Sequence, residues 1–446
     1  MTAIDLAVVG GGPAGIGTAY RLRDSGLRVR VFEATDELGG RTRSVLLPGG
    51  YANTGAQFVY VGTRTHELVD ELGLETIPFE PDTYGIAYDG VTSVGRSNDE
   101  IVARLPLDDD EQAELLRLLD ESVAEYSAMT SGGTFTEEAS QLSQVTVAER
   151  LEALSPRVRE IVATAIRAGA VGDPSEIIAQ YALRYFASYP AHERQNRRVL
   201  VDGMQSIVRA MADRLAPGVV RTSTAVTRVE LDAERGGYIV TAQTAEGELR
   251  CWARQALLAV PAPLIAQIAP DLPVWKKTAL RAAQTPGNTT MVIAADASDV
   301  PEYRDWAMVT AVGHRFDCVL NSTPGRWRSD DAPGIVHFMC YANTAGYQPG
   351  LPGDETAEHE WIEDFLTVAP GLRGRIKGHH IQTWEHCFAL LGLGRAEALA
   401  DIRRPAAGAH FAGDWSSTAA GSHGAFEEAD RVAADVLDYL VEAGER

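Results

Sequence analysis

Asp5-Leu6-Ala7-Val8-Val9-Gly10-Gly11-Gly12-Pro13-Ala14-Gly15 begins the stretch that decides the fold; a helix to Asp24, a strand Val29–Phe32 and Glu33 complete it. The apolar run Asp5–Val9 reads as a buried strand, and Pro13 suits the first turn of the helix that follows. Gly10 permits the tight turn, Gly12 lets backbone approach a pyrophosphate, and Gly15 lets helix and strand pack closely. The helix N-terminus offers unpaired N–H groups and a positive dipole to phosphates. Glu33 stands about 20 residues on, where a carboxylate accepts hydrogen bonds from ribose hydroxyls and repels a 2′-phosphate. A bare G-x-G-x-x-G is a weak signal in a chain with 42 glycines. Strand, helix, second strand and terminal acid in one run make it a dinucleotide site.

The 446 residues, 45% apolar, suffice for two domains with their own cores. Forty Lys and Arg stand against 62 acids, for a formal charge of −22. Such a surface is repelled by phosphate polymers, so neither nucleic acid nor an anionic membrane is an expected partner. Lysine occurs only at Lys276, Lys277 and Lys377. Cys251, Cys318, Cys340 and Cys387 are scattered without a C-x-x-C pair, so no metal site or disulfide framework is expected. The first residues lead straight into a strand, and no apolar run is long enough to cross a bilayer, which together suggest a cytoplasmic protein.

Further along, Thr65–Leu72 reads as a helix capped by Thr65. A helical lobe runs from Asp108 to about Tyr189, with a capping box at Thr146 and Glu149, a loop at Ser131–Thr134 and a new helix at Asp173-Pro174. Gly203–Leu215 reads as a helix. A period-two meander follows over Ala225–Leu231, Tyr238–Thr244 and Glu248–Ala253, then a separate strand Gln255–Val260. Strands are expected at Thr289–Ala295, Cys318–Ser322, Ile335–Tyr341 and Ala409–Ala412, and a helix at Gly424–Leu440.

After Glu33 and Ala34 comes Asp36-Glu37-Leu38-Gly39-Gly40-Arg41-Thr42-Arg43-Ser44, and later Asn53-Thr54-Gly55-Ala56-Gln57-Phe58, Val201-Asp202-Gly203-Met204-Gln205, His410-Phe411-Ala412-Gly413-Asp414 and Gly421-Ser422-His423-Gly424-Ala425. These motifs resemble the flavin monoamine oxidase superfamily, which includes amine and L-amino-acid oxidases, protoporphyrinogen oxidases and phytoene-desaturase-like enzymes. The resemblance covers both ends and the middle of the chain and is weak over 80–195 and 296–380. It implies an α/β fold: a Rossmann-like two-dinucleotide-binding FAD domain in three pieces (1–80, 196–285, 381–446), and an α+β substrate domain with a helical lobe (81–195) and strands (286–380). It places FAD against Gly10, Gly12, Pro13, Ala14, Gly15, Glu33, Ala34, Gly40, Arg41, Gly55, Ala56, Gln57, Phe58, Val226, Gly413, Asp414, Gly421, Ser422, His423 and Ala425. In the family the residue aligned with Val226 contacts adenine, and the acid aligned with Asp414 holds the sugar-phosphate linker.

A flavin takes a hydride at N5, so the resemblance implies an amine or amino acid oxidised to an imine, with O2 as electron acceptor. The implied substrate is a small cationic or zwitterionic amine, and a homodimer is a further expectation. The family's oxidases place a lysine near N5, in a pattern that aligns with Thr290-Met291-Val292-Ile293, so here Thr290 stands where lysine is usual. Some members bind flavin through a cysteine. Cys387, in Trp384-Glu385-His386-Cys387-Phe388, suits the non-covalent branch better. Thr290, Trp384 and His423 are the candidate catalytic residues. The missing lysine and the Trp384 loop favour a second reading, C–C desaturation as in the protoporphyrinogen-oxidase branch. A third is a non-redox isomerase or flavin-stabilised binding protein.

Overall fold

The computed structural model describes residues 2–79, 83–131, 134–135, 137–180, 197–323 and 334–444. Two seven-stranded sheets carry the chain. In the first, Thr2–Val9 lies between Val29–Phe32 and Gly247–Leu258, parallel to both, with Val220–Arg221 outside the former and Ala409–Phe411 parallel to the far end of the latter. Leu6, Ala7 and Val8 are fully buried because helices cover both faces, as an all-apolar parallel strand requires. Helices Pro13–Arg21 and Ser422–Gly444 pack together on one face, where a Cβ on Gly17 would come within 2.8 Å of Ala429 Cβ. Helices Val274–Arg281 and Arg395–Arg403 belong to the core on the other face.

The meander strands Ala225–Leu231 and Tyr238–Thr244 stand where their alternation puts them. The third differs from expectation. Glu248–Ala253 and Gln255–Val260 are one continuous strand, Gly247–Leu258, whose first half pairs antiparallel with Tyr238–Thr244 and whose second half pairs parallel with Ala409–Phe411. Polar Gln255 is tolerated in the middle because it is fully buried between His410 and the Val436 carbonyl.

Gln255 donates to Val436 O at 3.2 Å, so its Oε1, 2.7 Å from His410 Nε2, accepts from a protonated Nε2. His410 Nδ1 is then a buried acceptor with no partner, and burial draws the imidazole from 6.5 down to about 4. The neutral ring belongs to the folded state, so its contribution is present above pH 6.5 and lost as pH falls toward 4. The loss reaches about 3 kcal/mol. Denaturant melts at pH 7 and pH 4.5 should show His410→Gln losing less stability across that interval than the native chain; an equal loss would contradict this account.

The second sheet runs Ile376–Trp384, Asn288–Asp296, Ile335–Asn343, Cys318–Asn321, Trp306–Ala311, Thr83–Tyr88, Val91–Gly95. Asn288–Asp296 is buried nearly throughout, and its alternation sends side chains two ways. Met291 and Ile293 meet Phe338, Trp361 and Phe365, the latter two from helix Glu355–Val368; Val292 meets Phe58, Phe79 and Met339 on the opposite face. Thr290 shares the face of Val292. The strands Thr83–Tyr88 and Val91–Gly95, from a stretch for which no element was expected, close this sheet ahead of the helical lobe.

The lobe's helices Asp109–Met129 and Pro156–Ala170 form as expected, and Thr146 and Glu149 complete the capping box. Several local readings are corrected. The first helix after the glycines ends at Arg21 in a turn, where Ser25 N–H meets Leu22 O. The helix read at Thr65 spans Arg64–Leu72 and has Thr63 as N-cap; Thr65 is buried inside it. Asp173-Pro174 starts a turn: Pro174 O accepts the Ala148 N–H, and Ile177 and Ile178 bridge to Gly392 and Thr146. The helix read at Gly203–Leu215 is shorter, Gln205–Ala212. Thr130–Ser131 and Thr134–Phe135 pair as a small hairpin; Gly132 and Gly133 lie outside the described residues, as does the reading from 181 to Tyr189.

Candidate active site between the two sheets

A cavity of about 990 Å³ runs from the glycine-rich turn of the first sheet to the inner face of the second. That is the upper end of the ~300–1,000 Å³ expected of ligand sites. It fits an extended dinucleotide with a small molecule beside it. Gly10, Gly12, Pro13, Ala14, Glu33, Ala34, Gly40, Arg41, Gly55, Ala56, Gln57, Phe58, Val226, Gly413, Asp414, Gly421, Ser422, His423 and Ala425 all line it, as do Thr290 and Trp384. Gly15 is not among the lining residues. It sits beneath, where a Cβ would stand 1.9 Å from Gly10 O.

The residues present fit FAD. A Cβ on Gly12 would meet only Gly39 O, at 4.0 Å, so the side facing the cavity is open for phosphate oxygens. Glu33 directly follows the strand Val29–Phe32, its carboxylate held by Gly11 N–H at 2.7 Å and by Thr35 N–H and Oγ1 at 2.9 and 2.8 Å. Those bonds fix the plane of an acceptor at the point where a ribose would lie. At the other side the 23-residue helix Ser422–Gly444 starts at the cavity wall after Gly421, whose φ of 100° suits glycine. Its N-terminal dipole favours negative charge there.

Arg41 lines the cavity with its side chain already partnered. Its fork is engaged within the protein, 2.8 Å from Asp414 Oδ1 and 2.6 Å from Cys387 O, while Asp414 Oδ2 accepts the Ala389 N–H at 3.0 Å. One ion pair thus ties the first, last and penultimate segments of the site together. Asn53 is a second tie, unread in the sequence. Its Oδ1 accepts from Ser44 Oγ and Met204 N–H, both at 2.8 Å, and Gln205 reaches back to Leu38 O at 2.6 Å.

Under the end of the cavity that meets the second sheet lies a buried polar chain that sequence reasoning missed. Asn343 Nδ2 donates to Arg167 O at 2.7 Å; Asn343 Oδ1 accepts from Asn288 Nδ2 at 2.7 Å; Asn288 Oδ1 accepts from Thr290 Oγ1 at 2.7 Å. Asn288 Nδ2 also donates to Ala342 O, so every direction is set by a backbone carbonyl. Thr290's proton is therefore spent, and its hydroxyl offers lone pairs to the cavity. Asp317, held between Asn343 N–H and Arg167 Nε at 2.9 and 3.0 Å, braces the chain; burial pushes its carboxyl up, and these partners oppose that.

Trp384 ends its strand opposite Asn288 and donates Nε1–H to Thr54 O at 2.9 Å. His423 lies in the first turn of the last helix, its ring 6.2 Å from that of Tyr60. Cys387 lines the cavity, and burial raises its thiol to about 12, which keeps it protonated and weakly nucleophilic at neutral pH. None of the three lysines lines the cavity: Lys276 and Lys277 donate to the carbonyls of Asp401, Ile402 and Pro270, and Lys377 faces Asp296. Among the described residues no group of His, Cys, Asp and Glu could hold a metal ion, and no helix is long and apolar enough to cross a membrane.

A model of the family described as flavin containing amine oxidoreductase matches residues 13–437. The chain belongs to that family. Putrescine oxidase from Kocuria rosea is 47% identical over 73 residues, a stretch that spans 16% of this chain and only 15% of that relative. The structure of wild-type putrescine oxidase bound to putrescine is similar over 98% of this chain and 99% of that one, with a TM-score of 0.74 and 21% identity. Cyclohexylamine oxidase from Brevibacterium oxydans IH-35A gives a TM-score of 0.72 at 20% identity over 99% and 100% of the two chains. These likenesses show the fold: the α/β architecture of flavin amine oxidases.

Proposed function

We propose that this family member oxidises a small amine to an imine, with FAD held non-covalently and O2 as the final electron acceptor. The observation that carries the reading is the single cavity that joins the Gly10–Gly12 cradle and Glu33 to the apolar pocket around Thr290. Bound FAD supplies the hydride acceptor. Gly12, Glu33, Asp414 and the Ser422 helix would position it, and the neutral thiol of Cys387 supports non-covalent attachment.

The protein's own contribution is then positioning and desolvation. Phe58, Phe79, Met308 and Met339 surround the substrate end and disfavour an ammonium, so the amine is bound neutral with its lone pair free. Thr290, fixed as an acceptor by Asn288, receives an N–H from that amine or from a bridging water. Trp384, held by Thr54 O, closes one side, and His423 stands at the positive end of the last helix.

Anaerobic mixing of the holoprotein with a panel of amines and amino acids should bleach the flavin absorbance. Inertness to every amine, with bleaching by a nitrogen-free compound and an unsaturated product, would replace this reading with desaturation, which the absent lysine favours.

A further inference from the structure

We infer that Arg197 anchors a carboxylate of the substrate, so that this chain acts on amino acids with apolar side chains and not on diamines; the inference rests on the amine-oxidation reading above. Arg197 opens the strand Arg197–Leu200, which lies between Val59–Tyr60 and Thr76–Pro78, opposite Tyr60 and with its carbonyl taken by Phe79 N–H. Its guanidinium lies over the rings of Phe58 and Phe79, 5.1 and 5.6 Å from their centres, and all three residues line the cavity. Its Nε is buried and has no hydrogen-bond partner among the described residues.

Three other part-buried arginines carry acids of their own: Arg41 has Asp414, Arg157 has Glu111 and Arg167 has Asp317; the more deeply buried Arg395 is held by the carbonyls of Trp415 and Ser417. No carboxylate among the described residues pairs with Arg197. A part-buried cation with no acid beside it among the described residues is costly unless a ligand completes it. The two rings hold the guanidinium plane in place by cation–π attraction, leaving its fork for a planar, bidentate partner. A carboxylate is that partner.

The acids that line the cavity argue the same way. Glu33, Glu37 and Asp414 are engaged at the nucleotide end, and Glu385 is exposed beyond Trp384. A diamine's distal ammonium would therefore meet Arg197, a cation, and no buried anion among the described residues. Ile166, Met308, Leu320 and Met339 offer instead an apolar wall for a hydrocarbon side chain. The α-hydrogen of the amino acid leaves as hydride to the flavin and the N–H proton passes to solvent. Water then adds to the imino acid, the C–N bond breaks, and ammonia and the 2-oxo acid are released.

The test is anaerobic bleaching of the native holoprotein by matched pairs, phenylalanine against phenethylamine and leucine against isoamylamine, with putrescine alongside. The amino acid of each pair should bleach the flavin with the higher kcat/KM, and putrescine should be the poorest. Arg197→Met should collapse the amino-acid-to-amine ratio by about 100-fold, mainly through KM, the scale of losing a charged hydrogen-bonded pair. Should that variant fail to fold, phenylpropanoate binding to the native protein, read as a flavin spectral shift, takes its place. Preference for the amines in the native protein, with no answer to phenylpropanoate, overturns the inference and leaves amine oxidation standing. Inertness to both members of every pair overturns amine oxidation itself, and this inference with it.

Discussion

Gly15→Ala is expected to abolish the soluble fold or to lower its stability by roughly 3–5 kcal/mol, the range reserved for severe core lesions. The added methyl would stand 1.9 Å from the carbonyl oxygen of Gly10 and 3.1 Å from Val8 Cγ1. Neither obstacle is the far end of a flexible side chain. To make room, helix Pro13–Arg21 must lift from strand Thr2–Val9, and it would then lose its packing against helix Ser422–Gly444 through Gly17 and Ala429. Soluble yield and the melting temperature check this. A soluble variant melting with the native chain would show that the helix does not sit where it is described.

Gly12→Ala should behave in the opposite way, because its position has opposite surroundings. The backbone there, φ −83° and ψ −172°, is ordinary for alanine, and the methyl would meet nothing closer than Gly39 O at 4.0 Å. The protein should fold with nearly native apo-stability. The methyl would nevertheless occupy the space through which a pyrophosphate approaches the helix N-terminus. FAD affinity should fall by at least about 100-fold, and with it about 2.7 kcal/mol of the stabilisation that a bound ligand confers by mass action. Fluorescence titration of the stripped variant with FAD, beside melts with and without it, separates the two effects. Native FAD affinity in a well-folded Gly12→Ala would place the cofactor elsewhere.

What the sequence disclosed and what it withheld have physical reasons. The nucleotide side was legible because its signals are local: a strand, a glycine turn, a helix opened by Pro13 and an acid follow one another within the reach of one turn-by-turn reading. The same holds for Ala225–Leu231 and Tyr238–Thr244, whose period-two alternation marks half-exposed strands. Gly247–Leu258 was split in two because Arg254-Gln255 interrupts an apolar run, and only His410, far along the chain, explains a buried glutamine. Asp173-Pro174 carries the residues of a helix start, but bridges from Ile177 to Gly392 and from Ile178 to Thr146 overrule them.

The substrate side was hidden for the same reason on a larger scale. Thr83–Tyr88 pairs with Trp306–Ala311, about half the chain away, and neither segment announces its partner. Thr290 could be placed by resemblance to a lysine position, yet its role as an acceptor comes from Asn288, Asn343 and Arg167, which no local pattern links. Arg197 is one arginine among many until Phe58 and Phe79 are seen beneath it and no acid beside it among the described residues.

Acid release of flavin from freshly purified native protein bears most directly on the central claim, that one cavity holds an extended, non-covalent FAD between Glu33 and Thr290. The account predicts a yellow protein that yields one free FAD per chain and, once stripped, takes it up again with recovery of its melting temperature. A folded, colourless protein that takes up no added FAD would contradict it.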